Sequence, residues 1–294
     1  DNNPDLNITL FYSKETKYSF SMEKFLYGKK VLVTGSGSGI GYETARLFAG
    51  YGYTVYGVAR SVEEKEEDIG KGKLVSLKMD VTDEESIKRV LGIIGDFSIL
   101  IHSAGFGISG SAEDSDLSLV RAQEETDYYG VLLLNSLALP VLRKNPRSLV
   151  IAVSSIAARV PLPFQGHYSA VKYALEAYMG ALRNEIRGFG TRVAVVEPGD
   201  LSTGFTSNRI KAIKDDSPYS SLYDKAIKEI EKDEMTGGKP IEAARVIFSL
   251  SKRKNPPFRT PVGFVYKTLM FLLRFFPDAL TLCILRKMYG LEDK

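Results

Sequence analysis

The residue types that build metal centres and covalent cross-links are scarce in this sequence of 294 residues. It holds one cysteine, Cys283, and two histidines, His102 and His167. A single cysteine excludes an intrachain disulfide and a thiolate cage, and two histidines offer too few ligands for a histidine-rich site. We therefore expect no metal, and the lone cysteine fits a reducing, cytoplasmic interior.

Excess charge of one sign and long apolar runs are missing too. The formal net charge is only +3, and no run of lysine and arginine forms a basic stripe, which argues against a nucleic-acid partner. No apolar run reaches the ~20 residues that a membrane-spanning helix needs. With 44% hydrophobic and 26% charged residues, the composition is typical of a soluble globular protein.

The first residues carry no apolar stretch of the signal-peptide type. Residues 1–24 are polar with scattered aromatics, and Met22 is a plausible native start. We expect residues 1–21 to be upstream or vector sequence, and residues 1–24 to form an extension outside the fold.

From residue 25 onward, short β-branched runs alternate with segments of helical spacing. Six runs read as strands: residues 29–35, 53–60, 73–81, 97–105, 148–155 and 191–199. They are almost continuously apolar, as strands covered on both faces are. The alternation predicts an α/β fold with a doubly wound, parallel, Rossmann-like sheet, in one domain over residues 25–263.

The first predicted strand runs into the glycine-rich stretch "TGSGSGIG". Gly35, Gly39 and Gly41 lie where the strand gives way to a helix. Glycines there let the backbone approach a pyrophosphate, and the helix offers free N–H groups. A tight turn without a ligand is the plainer interpretation, but the strand–turn–helix context favours a dinucleotide.

The end of the second predicted strand indicates which cofactor the protein prefers. A carboxylate at this place would bind the adenosine ribose and repel a 2′-phosphate, but Ala59 and Arg60 stand here instead. Arg60 could pair with a 2′-phosphate, which favours NADP(H) over NAD(H). The alternative is a solvated loop arginine that faces the acidic run at residues 63–68.

Tyr168 and Lys172 are four residues apart in "GHYSAVKYA", and Ser155 precedes the tyrosine by thirteen. On one helix the first two share a face. They are either ordinary surface residues or an acid–base pair in which the ammonium lowers the pKa of the phenol.

Four motifs together resemble the short-chain dehydrogenase/reductases over residues 28–203. They are "TGSGSGIG", "HSAG" at 102–105, "SSIAARVPLPFQGHYSAVK" at 154–172 and "EPGDLST" at 197–203. The resemblance implies hydride transfer to or from a carbinol carbon. Tyr168 then exchanges the oxygen's proton, Ser155 positions the carbonyl, and Lys172 lowers the tyrosine pKa and holds the nicotinamide ribose. Ser154 is the second candidate for the role of the serine. The residues expected to bind cofactor are Gly35, Ser36, Gly39, Ile40, Gly41, Arg60, Asp80, Val81, Ala104, Gly105, Tyr168, Lys172 and Thr203.

The sequence departs from the family pattern in two places. His102 and Ser103 replace two asparagines, and we expect the histidine to be structural. Asp127 stands where the family often has an asparagine that supports a proton relay, so a charge is added near Lys172.

Two segments after Thr203 bear on the substrate. Residues 204–240 resemble by position the family's substrate lid, and residues 264–294 form a tail dense in Phe, Leu and Met, interrupted by Pro277. Two short amphipathic helices there could cover the cleft, fill a subunit interface or lie on a membrane surface.

Three functions stay open on the sequence. The leading hypothesis is an NADPH-dependent reductase of a bulky, lipid-like carbonyl compound. The second is an NAD-linked alcohol dehydrogenase, and the third is a dinucleotide-binding sensor without turnover. We expect a cytoplasmic homo-oligomer, with peripheral membrane contact through the tail left open.

Overall fold

The computed structural model of this chain describes residues 25–214 and 216–291. Ten strands form an eight-stranded sheet and a small pair, β6 with β9. The strands are β1 (Lys30–Thr34), β2 (Thr54–Ala59), β3 (Lys65–Ile69), β4 (Gly72–Lys78), β5 (Ile99–His102), β6 (Ile108–Ser109), β7 (Ser148–Val153), β8 (Thr191–Glu197), β9 (Ile210–Lys211) and β10 (Arg259–Pro261).

Helices connect the strands and cover both faces of the sheet. A π-helical turn at Glu125–Tyr129 lies between two of them, and 3₁₀ turns occur at Ile156–Ala158, Arg187–Phe189 and Leu273–Phe275. The α-helices are α1 (Gly39–Gly50), α2 (Glu84–Ile94), α3 (Leu117–Glu124), α4 (Gly130–Leu142), α5 (Gly166–Glu185), α6 (Gly204–Ser207), α7 (Ser220–Thr236), α8 (Pro240–Leu250), α9 (Phe264–Leu272) and α10 (Asp278–Met288).

The large sheet has the order β10-β8-β7-β5-β1-β2-β4-β3, and every neighbouring pair except β3–β4 is parallel. The chain leaves β1 toward β2 on one side and returns to β5 on the other, so the order reverses at β1. Loops at the carboxyl ends of strands diverge at such a point and leave a crevice. The predicted doubly wound α/β fold is confirmed.

Alternating side chains of each inner strand enter two separate cores. Leu32 and Leu100 pack with α2, α4 and α5 on one face, whereas Val31, Val33 and Ile101 pack with α1 and α8 on the other. Burial on both faces explains why these runs lack the polar alternation of a half-exposed strand.

The sheet edge beyond β4 differs from the expectation. Residues 63–68 were identified only as an acidic run and no strand was predicted there, but Lys65–Ile69 form β3, which pairs antiparallel with β4. Lys73 on β4 pairs with Glu66 on β3. An edge strand needs charge more than apolar side chains, because charge discourages pairing with other chains.

A third apolar cluster lies away from the sheet, between α7 and the last two helices. Tyr223, Ile227 and Ile230 of α7 contact Met270 of α9 and Leu285 of α10. The C-terminal helices are therefore fixed to the body of the molecule at this point. Within residues 25–214 and 216–291, no helix has the length and apolar content to cross a membrane.

Candidate active site

The turn from β1 to α1 leaves no room for side chains. Gly35 has a φ of +68°, and a Cβ there would lie 2.6 Å from the Ser103 carbonyl oxygen. A Cβ on Gly41 would lie 2.2 Å from the Gly35 carbonyl oxygen. The backbone of this turn and the N-terminus of α1 thus form a bare cradle, which fits the pyrophosphate of a dinucleotide.

Thr34, the last residue of β1, ties this cradle to the neighbouring loop. Its hydroxyl oxygen accepts hydrogen bonds from the N–H groups of Ser103 (3.0 Å) and Ala104 (3.1 Å). The "HSAG" stretch is therefore held by its backbone, so replacing the family's asparagines does not remove this contact.

His102 is structural in this arrangement. It is buried, and its Nε2 lies 2.9 Å from Oδ1 of Asn135 on α4. Burial lowers the pKa of His102 to about 4, against the opposing effect of the Asn135 hydrogen bond. A histidine that is neutral near pH 7 and bonded to an amide braces β5 against α4.

Arg60 and Asp80 lie at the far end of the crevice. Arg60 is exposed directly after β2 and lines the crevice wall. Asp80 already accepts hydrogen bonds from the N–H (2.9 Å) and hydroxyl (2.8 Å) of Thr82, so it also shapes its own turn.

Tyr168 and Lys172 enter the crevice from α5. Both are buried, and Lys172 Nζ lies 5.6 Å from the centroid of the Tyr168 ring. The i and i+4 positions of one helix place them on a common face. The surface alternative for this pair is therefore wrong.

Ser154 and Ser155 make different contacts. Ser154 Oγ donates to Glu176 Oε1 at 2.7 Å in a buried contact, so this hydroxyl is engaged below the crevice. Ser155, two residues beyond the end of β7, caps the 3₁₀ turn by accepting from Ala157 N at 3.1 Å. Its hydroxyl also interacts with the Tyr168 phenol. This contact favours Ser155 over Ser154 as the crevice serine.

The π-helical turn between α3 and α4 carries Asp127 to the same place. Its Oδ2 lies 3.1 Å from Lys172 Nζ, and its Oδ1 accepts from Phe106 N at 3.0 Å. A Cβ on Gly105 would come within 2.8 Å of that Oδ2, so the glycine leaves room for the carboxylate. The charge expected near Lys172 is thus a buried ion pair.

This pair changes the expected acidity of the tyrosine. Burial raises the pKa of Tyr168, the Lys172 ammonium opposes that rise, and the Asp127 carboxylate adds to it. The net direction is upward, so the expected lowering is wrong. Burial disfavours the charged phenolate, and the Asp127 carboxylate counteracts the effect of the Lys172 ammonium.

The pKa of Lys172 moves in the direction that keeps it charged. Burial lowers this pKa, but the negative charges of Asp127 and the Tyr168 phenolate raise it further than burial lowers it. Lys172 therefore remains an ammonium beside the phenol over the physiological range.

The substrate side of the crevice was not predicted residue by residue. The Phe205 ring lies 5.5 Å from the Tyr168 ring, and Ile230, Glu234 and Tyr289 line the wall beyond it. They come from α6, α7 and the segment after α10. The spacing of these four residues in the sequence does not indicate that they line one wall. The sequence indicated only that the segment after Thr203 would lie near the substrate.

The fold gathers every proposed site residue around one cleft of about 1060 Å³. Its lining includes Gly35, Ser36, Gly39, Ile40, Gly41, Arg60, Asp80, Val81, Ala104, Gly105, Ser155, Tyr168, Lys172 and Thr203. Among the described residues no group of acidic, histidine or cysteine side chains could hold a metal ion. Its lining extends from Arg60 and the glycine turn to Ser155, Tyr168 and Lys172.

Comparison with known proteins agrees with this geometry. The sequence model of the short chain dehydrogenase family matches residues 29–214. A 3-ketodihydrosphingosine reductase of Bacteroides thetaiotaomicron is 36% identical over 269 residues, which is 89% of this chain and 98% of the relative.

Two solved structures share the fold. A short-chain dehydrogenase/reductase of Burkholderia phymatum in complex with NAD superposes with a TM-score of 0.68 at 18% identity, over 82% of this chain and 90% of the other. The closed form of a serine dehydrogenase complexed with NADP⁺ gives 0.68 at 20% identity, over 81% and 95%.

Proposed function

The chain belongs to the short-chain dehydrogenase/reductase family of NAD(P)-dependent oxidoreductases, and we propose that it reduces a bulky, lipid-like ketone with NADPH. The observation that carries this proposal is the meeting of Tyr168, Lys172 and Ser155 in one cleft with the bare glycine turn. The same cleft would serve alcohol oxidation. Because its pKa is raised, the Tyr168 phenol keeps its proton near pH 7, as a proton donor to a carbonyl oxygen must.

Several residues of the chain each have a separate role in the reduction. A nicotinamide dinucleotide, held by the turn at Gly35, Gly39 and Gly41, would supply the hydride for the carbonyl carbon. The C=O electron pair moves to oxygen, which takes the phenolic proton of Tyr168, and the Ser155 hydroxyl positions that oxygen. Lys172 stabilises the phenolate left behind, and Asp127 holds the ammonium in place at 3.1 Å. The proton is then replaced from solvent.

The preference for NADPH rests on Arg60. This exposed guanidinium lines the cleft where an adenosine 2′-phosphate would lie, and no carboxylate follows β2 directly. We expect the variant Arg60→Ala to lose about tenfold or more in affinity for NADPH and to bind NADH unchanged.

Fluorescence titration with both dinucleotides measures this preference. Arg121→Ala, an exposed arginine on α3 away from the cleft lining, is the matched control. Tighter binding of NADH than of NADPH by the wild type would favour the NAD-linked alcohol dehydrogenase instead.

The substrate class follows from the cleft wall and from the relative. Phe205, Ile230 and Tyr289 supply apolar surface to the wall beyond Tyr168, which also carries Glu234. The relative from Bacteroides thetaiotaomicron is named for the ketone 3-ketodihydrosphingosine, which has a long alkyl chain. We therefore expect this compound to be reduced with a higher kcat/KM than an analogue with the same head and a short chain.

The initial rate of NADPH oxidation at varied ketone concentration tests this expectation. Equal kcat/KM for both chain lengths would show that the apolar wall does not select the substrate. No oxidation with any ketone, together with intact NADPH binding, would favour the sensor hypothesis.

A further inference from the structure

The last two helices present an unusual outer surface. Eleven large apolar side chains between residues 264 and 288 are exposed, and six of these are more than half exposed. We call these six the tail face: Phe264, Val265, Phe271, Phe275, Leu282 and Met288. Elsewhere in the described chain only four large apolar side chains are as exposed, and they are scattered. Exposed apolar side chains that are concentrated in one segment of the chain mark a site of interaction.

The helices that carry the tail face are anchored by their inner side. Met270 and Leu285 are buried against α7, and the Tyr266 ring packs over Gly199, where a Cβ would lie 2.2 Å from it. The Tyr266 hydroxyl accepts from Asp200 N at 3.0 Å. The outer side chains are therefore held outward by a fixed support.

Basic residues stand among these apolar side chains. Residues 264–294 hold five basic residues, Lys267, Arg274, Arg286, Lys287 and Lys294, against three acidic ones, Asp278, Glu292 and Asp293. Lys267, Arg274, Asp278, Arg286 and Lys287 lie within the described residues and are exposed. A short helix with apolar and basic side chains fits the boundary of an anionic bilayer, where the apolar groups enter the acyl region and the cations meet the phosphates.

We infer that the tail face docks the protein on the surface of an anionic lipid bilayer. The helices lie in the interface and do not cross the membrane, since α9 has nine residues and α10 eleven. This inference goes beyond the proposed function and does not depend on it.

The charges argue against a second copy of the chain as the occupant. A two-fold contact brings the same surface of both copies together, so the excess of basic over acidic side chains would be doubled within one interface. A bilayer that contains anionic lipid offers the opposite charge.

The position of the tail gives the docking a consequence. Tyr289, directly after α10, lines the cleft. The bilayer would thus lie close to a segment that reaches the cleft, and an apolar molecule dissolved in it would have a short path there.

Flotation of the full chain with lipid vesicles tests the inference. The probe is vesicles of equimolar phosphatidylcholine and phosphatidylglycerol, with pure phosphatidylcholine for comparison. We expect the wild type to float with the anionic vesicles. The double variant Phe271→Ser, Phe275→Ser is expected to lower the partition coefficient at least tenfold. Neutralisation by Lys267→Gln with Arg274→Gln is expected to lower it about thirtyfold on anionic vesicles.

The double variant Leu117→Ser, Phe189→Ser is the matched control, because it removes two equally exposed apolar side chains elsewhere and should float like the wild type. A wild type that stays below the vesicles, or tail variants that bind as well as it does, would overturn the inference. So would a dimer that dissociates in the phenylalanine variant without any vesicle binding, which would assign the face to a second copy. NADPH titration without vesicles reports on the proposed function separately.

Discussion

At the scale of single residues, the ion pair of Asp127 and Lys172 sets the behaviour of Tyr168. The carboxylate lies 3.1 Å from the ammonium, and both side chains are buried. An uncharged asparagine at the same place would leave the ammonium unbalanced. The acidity of the phenol therefore depends on a residue from a different helix as much as on its own neighbour along α5.

Replacing Asp127 by asparagine tests this dependence. The Asp127 charge raises the pKa of Tyr168, so its removal lowers that pKa. Reduction needs the protonated phenol, and its rate falls as pH rises through this pKa. We expect the falling limb of the pH profile of kcat/KM to move to lower pH in Asp127→Asn. Asp224→Asn, an exposed position on α7, is the control, and an unmoved limb would contradict the account.

The grouping of Tyr168, Lys172 and Ser155 could be predicted from the sequence, because positions on one helix and at one strand end follow from local periodicity. The direction of the tyrosine pKa could not. It depends on burial and on Asp127, which a π-helical turn brings across from another part of the chain. Asp127 itself was noticed only as a departure from the family pattern.

At the scale of elements, the six inner strands were predicted because each holds a short run of mostly apolar residues, although β4 also carries Lys73 and Lys78 and is only partly buried. The edge strand β3 was not, since "KEEDI" has the composition of a solvated loop. The short strands β6, β9 and β10 also escaped prediction. Two or three residues carry no periodic signal, and their pairing is decided by tertiary neighbours.

A buried charge cluster joins several of these elements under the cleft. Glu176 on α5 pairs with Arg259 on β10 at 2.6 Å, and Glu197 on β8 pairs with Arg159 at 3.4 Å. Burial and the neighbouring Glu176 raise the pKa of Glu197 to about 7. Glu176 also accepts a hydrogen bond from Ser154, so the cluster reaches the residues that follow β7.

The raised pKa makes the stability of the fold depend on pH. Folding raises the pKa of this carboxyl from 4.5 to about 7, so its protonation stabilises the folded state. This stabilisation is complete below the unfolded pKa and is lost as pH rises through 7. The loss amounts to about 3 kcal/mol at 1.36 kcal/mol per pKa unit.

Glu197→Gln removes this titration. We expect the free energy of unfolding of the wild type, relative to the variant, to fall by that amount between about pH 4 and pH 8. Urea denaturation at both pH values measures the difference. A difference that stays constant with pH would contradict the shifted pKa.

At the scale of the whole molecule, the fold explains why residues so far apart in sequence share one cleft. The sheet order reverses at β1, which places the glycine turn, Arg60 and the end of β7 around the same crevice. Helix α6, helix α7 and Tyr289, which follows α10, line the other side. The homo-oligomer and the cytoplasmic location expected from the sequence stay predictions.

The measurement that tests the central claim most directly is NADPH oxidation with a long-chain ketone by the wild type and by Tyr168→Phe. Tyr173→Phe is the matched control, since Tyr173 lies on the same helix with 43% of its surface exposed. We expect Tyr168→Phe to bind NADPH like the wild type and to lose about 10²–10⁴-fold in kcat. The control should keep full activity. A Tyr168→Phe enzyme that turns over at the wild-type rate would contradict the proposal that this phenol supplies the proton.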